Sequence, residues 1–279
     1  MTATTPDPRE YEGCALFRSV WHGRLLSDLC SRIEATCQPL EEARRHGGPF
    51  AASQLIQARE RFVPTASSVT LGAALSAEQL HTLLAALGDS PAGTWIGNQL
   101  CPRLACDLDQ AWVRRQYAPH RYPPMHAPHG WHQDGALGFD FLGHSDGNFP
   151  PDAVLDMVTC WIPLTPCGDD APGLELLGQR FDRLLPPADL AHARVIERFV
   201  PEKFWRPVME PGDALLFHGD LLHRTHVTPT MTKDRTSLEL RFFPSDELPP
   251  RLRSDRFTLL AWLRPEGNSL PGHGPANSK

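Results

Sequence analysis

The chain predicts a mainly β architecture with flanking helices, a sandwich or barrel, and neither a helical bundle nor a parallel α/β sheet. Three observations lead there. The 279 residues include 28 Pro and 21 Gly, a supply of breakers suited to many turns. Clear helical periodicity is confined to the first third of the chain. Beyond Trp95 the texture changes to short β-like runs separated by Pro and Gly, with no alternation of strands and long helices.

Taken in order, residues 1–13 read as a loose lead-in. Leu25, Leu26, Leu29, Ile33 and Cys37 recur at helical spacing and predict an amphipathic helix over Arg24–Thr36. A shorter helix is expected over Ala51–Val63, ending before Pro64. The clearest helix is Ser76–Leu87: Ser76-x-x-Gln79 has the form of a capping box, Leu80, Leu83, Leu84 and Leu87 make one stripe, and Gly88 is read as the stop. Strands are expected at Ala111–Tyr117, Val154–Ile162, Leu174–Leu177, Phe204–Met209, Asp213–His218, Leu221–Val227 and Ser237–Phe243. Pro187–Phe199 reads as a helix crossing outside the sheet, and the tail after Arg264 as disordered. With no repeat and no linker, one domain over 1–279 is expected: helical support over about 14–95, a β core over about 96–245 and an extension over 246–279.

Composition excludes several classes. A net charge of −6 with no Lys/Arg run lacks the basic face that nucleic acid requires. No run of about 18 apolar residues suggests a membrane span, and the first residues have no apolar core of a signal peptide. Seven cysteines without a Cys-x-x-Cys suggest neither a zinc ribbon nor a dithiol redox site. Cys101 and Cys106, the closest pair, read as buried small residues. A cytoplasmic enzyme with reduced thiols is the expectation.

His-x-Asp occurs three times, as His132/Asp134, His144/Asp146 and His218/Asp220. In extended backbone, residues i and i+2 point to one face. Each pair could therefore present an imidazole and a carboxylate toward one point, and a further histidine would complete the 2-His-1-carboxylate set that holds non-haem Fe(II). His144 and Asp146 lie in Gly143-His144-Ser145-Asp146-Gly147, which also matches the Gly-x-Ser-x-Gly elbow of serine hydrolases. An elbow needs a helix directly after the serine, and Pro150 and Pro151 oppose one, so a loop is preferred. In the stretch from Pro211 to His226, Pro211-Gly212-Asp213 reads as a tight turn and Gly219-Asp220 as a second. His223 then starts a return strand with Thr225 on the same face. The third ligand could be His223, with His218 and His226 as rivals; His120, His126 and His129 lie in a Pro-rich loop that could touch substrate or only solvent.

Together these motifs resemble the phytanoyl-CoA dioxygenase family of Fe(II)/2-oxoglutarate oxygenases. The elements are Trp131-His132-Gln133-Asp134, Trp161-Ile-Pro-Leu-Thr-Pro, Pro172-Gly-Leu-Glu, Pro211-Gly-Asp, His223-x-Thr225 and Arg235-Thr236-Ser237, in an order that covers Trp112 to Phe243. The resemblance implies a double-stranded β-helix (jelly roll, cupin-like) with iron at its mouth. It also implies His132, Asp134 and His223 as ligands, Arg235 on the distal carboxylate of 2-oxoglutarate, support from Thr225 and Ser237, and an amide from Gln116 near cosubstrate or substrate. The family's distal histidine is usually followed by Gly-Ser, whereas here Arg224-Thr225 follows.

What the resemblance implies chemically is consumption of 2-oxoglutarate and O2 with release of succinate and CO2, and hydroxylation of a small-molecule metabolite or natural-product intermediate. Halogenases of the wider superfamily have a small residue where Asp134 stands, so the carboxylate favours hydroxylation. Desaturation, epoxidation or cyclisation on the same iron are alternatives. A non-catalytic metal-binding barrel and a serine hydrolase using Ser145 are rivals from other classes. Arg114, Arg115, Arg224 and Arg241 leave room for an anionic substrate, or are surface residues.

Overall fold

The computed structural model describes residues 11–38, 67–100, 103–107, 111–121, 128–136, 152–245 and 257–260. Its main sheet has the strand order β1 (Cys14–Phe17), β8 (Ala214–His218), β5 (Val158–Pro163), β10 (Arg235–Pro244), β3 (Leu104–Asp107), β11 (Phe257–Leu260). Strand β10 is long enough to hold two neighbours on one edge. Its first half pairs with β4 (Trp112–Gln116), which pairs in turn with β2 (Ser67–Thr70), and its end pairs with β3. A smaller sheet has the order β7 (Phe204–Trp205), β6 (Gly173–Leu177), β9 (His223–His226). All of these pairings are antiparallel. With flanking helices, this is the expected mainly β jelly roll.

The layers follow from the two-residue period of the strands. Leu238, Leu240 and Phe242 of β10, with Val158, Cys160 and Ile162 of β5, face a helical layer. That layer is α1 (residues 23–38), α2 (Leu71–Ala74), α3 (Ala77–Gly88) and α4 (Pro91–Gln99). The opposite face of the main sheet meets the small sheet. There Leu16, Trp161, Leu215 and Phe217 pack with Leu174, Leu176 and Trp205. Helix α1 forms where its stripe predicts and buries Leu29, Ile33 and Cys37. The capping box of α3 is complete, with Ser76 N–H donating to Gln79 Oε1 at 2.9 Å and Gln79 N–H to Ser76 Oγ at 3.4 Å.

Several boundaries differ from the sequence reading. Gly88 is the last helical residue and not the stop; Asp89 forms the C-cap in a right-handed conformation, and Ser90 at once caps α4. Close packing of the two helices falls on Gly93, where a Cβ would lie 2.4 Å from Leu87 O and 2.7 Å from Gly88 Cα. Helix α4 lies where no helix was expected. Pro187–Phe199 divides into a 3-10 turn, Pro187–Leu190, and α5 (His192–Arg198), because Ala191 is extended. The Phe204–Met209 strand is cut to two residues plus a bridge from Met209 to Cys167. Strands β1, β2, β3 and β11 were not anticipated. The segments expected at Ala51–Val63 and after Arg264 lie outside the described residues, as does Cys101. Burial pushes the Cys14 thiol up to about 12, in keeping with a packing role.

Pro211-Gly212-Asp213 is the expected tight turn. Asp213 accepts backbone N–H donors from Glu210 and Ser19 at 2.9 Å each and the Arg18 guanidinium at 2.7 Å, tying the start of β8 to the segment after β1. Gly212 has φ +84°, and a Cβ there would fall 1.9 Å from Trp21 O. Gly212→Ala therefore combines a left-handed conformation with a backbone clash. It should cost about 2 kcal/mol or more, read as a lower urea midpoint at unchanged m-value; an unchanged midpoint would refute this account of the turn.

Candidate metal centre

The segment Gly130–Gly135 lies along the free edge of β9. His132 and His223 form an antiparallel bridge: His132 N–H donates to His223 O at 2.9 Å and His223 N–H to His132 O at 3.0 Å. Residues directly opposite in such a pair project to the same face, and the two imidazoles stand with ring centroids 4.1 Å apart. The chain then turns so that Asp134 joins them. His132 Nε2 lies 3.6 Å and His223 Nε2 3.7 Å from Asp134 Oδ1. Among the described residues, these three form the one group whose ligand atoms all lie within 4.8 Å of one another.

Each ligand atom is aimed by a second contact on the same side chain. His132 Nδ1 is 2.8 Å from Gly130 O and His223 Nδ1 is 3.1 Å from Leu221 O. Since only a protonated Nδ1 can donate to a carbonyl, both rings present Nε2 as the lone-pair nitrogen. Asp134 Oδ2 accepts from Thr159 Oγ1 at 2.7 Å and lies 3.4 Å from Arg241 Nη2, so Oδ1 faces the histidines. Burial alone would raise the Asp134 pKa; Arg241, the two imidazoles and the Thr159 hydroxyl outweigh it and hold the carboxyl well below its usual range. Burial and the neighbouring His223 hold His132 well below 6.5. Two imidazoles and a carboxylate in one recess match the donor set of a non-haem divalent metal with positions left open.

Close backbone packing fixes the ligand loop. Gly135 N–H donates to Gly219 O at 2.8 Å, and a Cβ on Gly219 would come within 3.0 Å of Gly135 Cα. The Gly219-Asp220 turn is structural: Asp220 Oδ2 accepts from Arg180 Nε and the Phe181 backbone N–H at 2.7 Å each. Gln133 braces the same corner, donating to Asp220 O at 2.8 Å and accepting from Leu185 N–H at 2.7 Å.

The other predicted residues fall on the inward face beside this group. Arg235 is buried, opposite Gln116 in the β10–β4 register, with its guanidinium over the Trp161 ring at 5.1 Å and Nη1 3.5 Å from Gly173 O. Thr225 follows His223 by one two-residue step and is buried. The Gln116 amide nitrogen and the Ser237 hydroxyl are buried without a hydrogen-bond partner among the described residues, which suits groups waiting for a polar ligand. His218 is turned to the helical layer, Nε2 3.0 Å from Gln99 Oε1 and against Trp95, so it does not join the cluster. His226 does not join it either. His129 does stand close, its ring 5.5 Å from that of His132, and burial with Arg114 pushes it down to about 4. His120 is exposed; His126 and Gly143–Gly147, with Ser145, lie outside the described residues.

Sequence reasoning missed the charged set behind Asp134. Arg241 is 5% exposed and no surface residue; it pairs with Glu239 at 3.2 Å as well as with Asp134, and Glu239 pairs with Arg114 at 3.3 Å. Arg115 is likewise engaged, by Thr236 at 3.2 Å and by Glu34. The available signal was alternation, since Arg235, Ser237, Glu239 and Arg241 interleave with Leu238, Leu240 and Phe242.

Comparison with solved structures returns iron-enzyme folds at low identity. EctD from S. alaskensis with bound Fe is 12% identical, with a TM-score of 0.56 over 84% of this chain and 73% of that one. The non-heme alpha ketoglutarate dependent carbocyclase SnoK from nogalamycin biosynthesis is 14% identical, with a TM-score of 0.54 over 90% and 92%. The epimerase SnoN in complex with Fe3+, alpha ketoglutarate and nogalamycin RO is 17% identical, with a TM-score of 0.51 over 91% and 95%. At such identities the likeness establishes the fold. No curated protein sequence matches the chain. The phytanoyl-CoA dioxygenase (PhyH) family matches residues 11–230, well over half of the chain. This protein therefore belongs to the phytanoyl-CoA dioxygenase family, the non-haem oxygenases that use Fe(II), 2-oxoglutarate and O2.

Proposed function

We propose that the protein hydroxylates a small organic molecule, a metabolite or natural-product intermediate, with His132, Asp134 and His223 as the Fe(II) ligands. Arg235, Thr225, Ser237 and Gln116 are the residues assigned to 2-oxoglutarate. The observation that carries this reading is the approach of two imidazole nitrogens and one carboxylate oxygen to within 4.8 Å of one another. They come from positions as distant in sequence as 132 and 223.

When bound, iron and the keto acid supply an oxidant that removes hydrogen from carbon, as 2-oxoglutarate goes to succinate and CO2. The chain's own residues orient and exclude. His132 and His223 turn their Nε2 atoms to the site because each Nδ1 is engaged by a backbone carbonyl, Gly130 O and Leu221 O. Arg235 matches a carboxylate with two parallel N–H donors in a buried site, where such a pair is strongest. Gln116 and Ser237 add donors from the same wall. The indole of Trp161 under Arg235 excludes water from that end. As a ligand, Asp134 would take the place that a halide needs, which favours hydroxylation. The carbocyclase SnoK and the epimerase SnoN share this fold, so cyclisation and epimerisation stand beside hydroxylation as outcomes to test.

Three predictions test the assignment. His132→Ala and His223→Ala should each weaken Co(II) binding more than about 100-fold, beyond the loss typical of a supporting residue, and abolish Fe(II)-dependent succinate formation from 2-oxoglutarate. Retention of both would remove these residues from the metal. Arg235→Lys loses the planar fork and should raise the KM for 2-oxoglutarate about 10- to 100-fold, the equivalent of one charged hydrogen bond, with little change in Tm; an unchanged KM denies Arg235 this role.

The third concerns acid. His132 is held well below 6.5, and His218 is pushed down to about 4 by burial and Arg180. Below pH 6.5 the unfolded chain binds protons at these positions while the native protein does not. Stability of the metal-free protein should therefore fall as pH drops from 6.5 toward 4, by up to about 1.4 kcal/mol per pH unit for each group. Urea midpoints at successive pH values check it; a flat profile through this window contradicts the assigned burial.

A further inference from the structure

Directly opposite each other in the β5–β10 register stand Thr159 and Arg241. Both reach the same atom: Thr159 Oγ1 donates to Asp134 Oδ2 at 2.7 Å and Arg241 Nη2 lies 3.4 Å from it. Thr159 is 1% and Arg241 5% exposed, so neither contact is diluted by solvent. The same Arg241 Nη2 is also held by Glu239 at 3.2 Å, and Glu239 is itself held by Arg114 at 3.3 Å. Asp134 Oδ1 is left facing His132 Nε2 and His223 Nε2 at 3.6 and 3.7 Å.

We propose that Thr159 and Arg241 are positioning residues that withhold Oδ2 from the metal, so that Asp134 ligates through Oδ1 alone and one coordination position stays reserved for the keto acid. The inference rests on the metal reading above. A carboxylate can grip a cation with one oxygen or two. In an octahedral site, three protein atoms leave room for both oxygens of 2-oxoglutarate and for O2. A second oxygen from Asp134 would take one of those places. Nothing in the ligand triad itself forbids that rotation; the cross-strand pair does. Glu239 and Arg114 keep Arg241 from turning away, and Glu239 offsets its charge, so that a cation can still bind beside a guanidinium.

This assignment makes the metal and the cosubstrate respond in different directions, which a purely structural role would not do. The test uses full-length Thr159→Val, Arg241→Met and the double variant, with Co(II) as a spectroscopic probe in place of Fe(II). Thr159→Val keeps the side-chain shape and decides the matter if Arg241→Met fails to fold; Thr159→Ser, which keeps the hydroxyl, should behave as wild type. Co(II) affinity should be retained or improved, because a donor is gained and a nearby positive charge can be lost. The affinity of the Co(II)-protein for 2-oxoglutarate should fall at least tenfold, with the visible ligand-field bands shifted before the keto acid is added. Variants that bind Co(II) and 2-oxoglutarate within about twofold of wild type overturn the inference. So do variants that lose Co(II) and stability together, since that marks plain structural support. A wild-type protein that takes up no Co(II) removes the metal reading itself, and this inference with it.

Discussion

Two backbone hydrogen bonds organise the site. The reciprocal pair between His132 and His223 is an isolated antiparallel bridge to β9, yet it decides where both imidazoles go. An antiparallel rung places opposite side chains on one face, so once these residues pair, their rings must meet. A one-residue slip would turn one of them to the other face. Neighbouring contacts protect the register. Thr225 N–H donates to His129 O at 3.0 Å on one side, Gly135 N–H to Gly219 O at 2.8 Å on the other. The second of these is possible because both residues are glycine: a Cβ on Gly219 would lie 3.0 Å from Gly135 Cα, and one on Gly135 would lie 3.1 Å from Gly219 O.

The rest of the centre uses a single strand with two characters. Every even position of β10 from 238 to 242 is apolar and packs on the helices, while Arg235, Ser237, Glu239 and Arg241 look inward. Burying such a row costs stability unless the charges are paired. Glu239 sits between Arg114 and Arg241, and Arg241 between Glu239 and Asp134. Burial raises the Glu239 pKa less than Arg114 and Arg241 lower it, so it remains ionised. Helical packing on one face thus supports a polar wall on the other, and the site inherits the rigidity of the sheet.

How much of this was legible depended on whether the signal was local. The Pro211-Gly212-Asp213 turn and the start of a strand at His223 are short-range patterns and lie where they are predicted, whereas His132 and Asp134 come together through a turn at Asp134 and not through the extended backbone expected. The jelly roll was reached through motif order, because no single run of residues encodes how β1 finds β8. Strands of four residues carry too little alternation to stand out, which is why Cys14–Phe17 and Leu104–Asp107 were missed. Helix α4 was hidden by Gly93 and Gly97, although Ser90-Pro91 offered a cap followed by a proline at the first helical position. Arg241 was misjudged for another reason: its partner Asp134 lies 107 residues away, and no local rule connects them.

The step from glycine to Arg224 after the distal histidine now has a physical account. On β9 His223 and Thr225 are buried toward the site, while Arg224 between them projects to the opposite face. There it meets Glu175, its direct cross-strand partner, at 2.5 Å; Glu175 is fully buried and also holds Arg206. The Arg224 guanidinium lies over the Trp131 ring at 5.1 Å, and Trp131 donates to His192 Nδ1 at 3.1 Å. Trp131 immediately precedes His132, and Arg224 immediately follows His223. The outward neighbours of His132 and His223 therefore stack on each other, and Glu175 pins the stack to the small sheet. A glycine would leave that face of the strand pair bare, whereas arginine binds the two histidine-bearing segments together from behind without entering the side where the imidazoles and Asp134 meet.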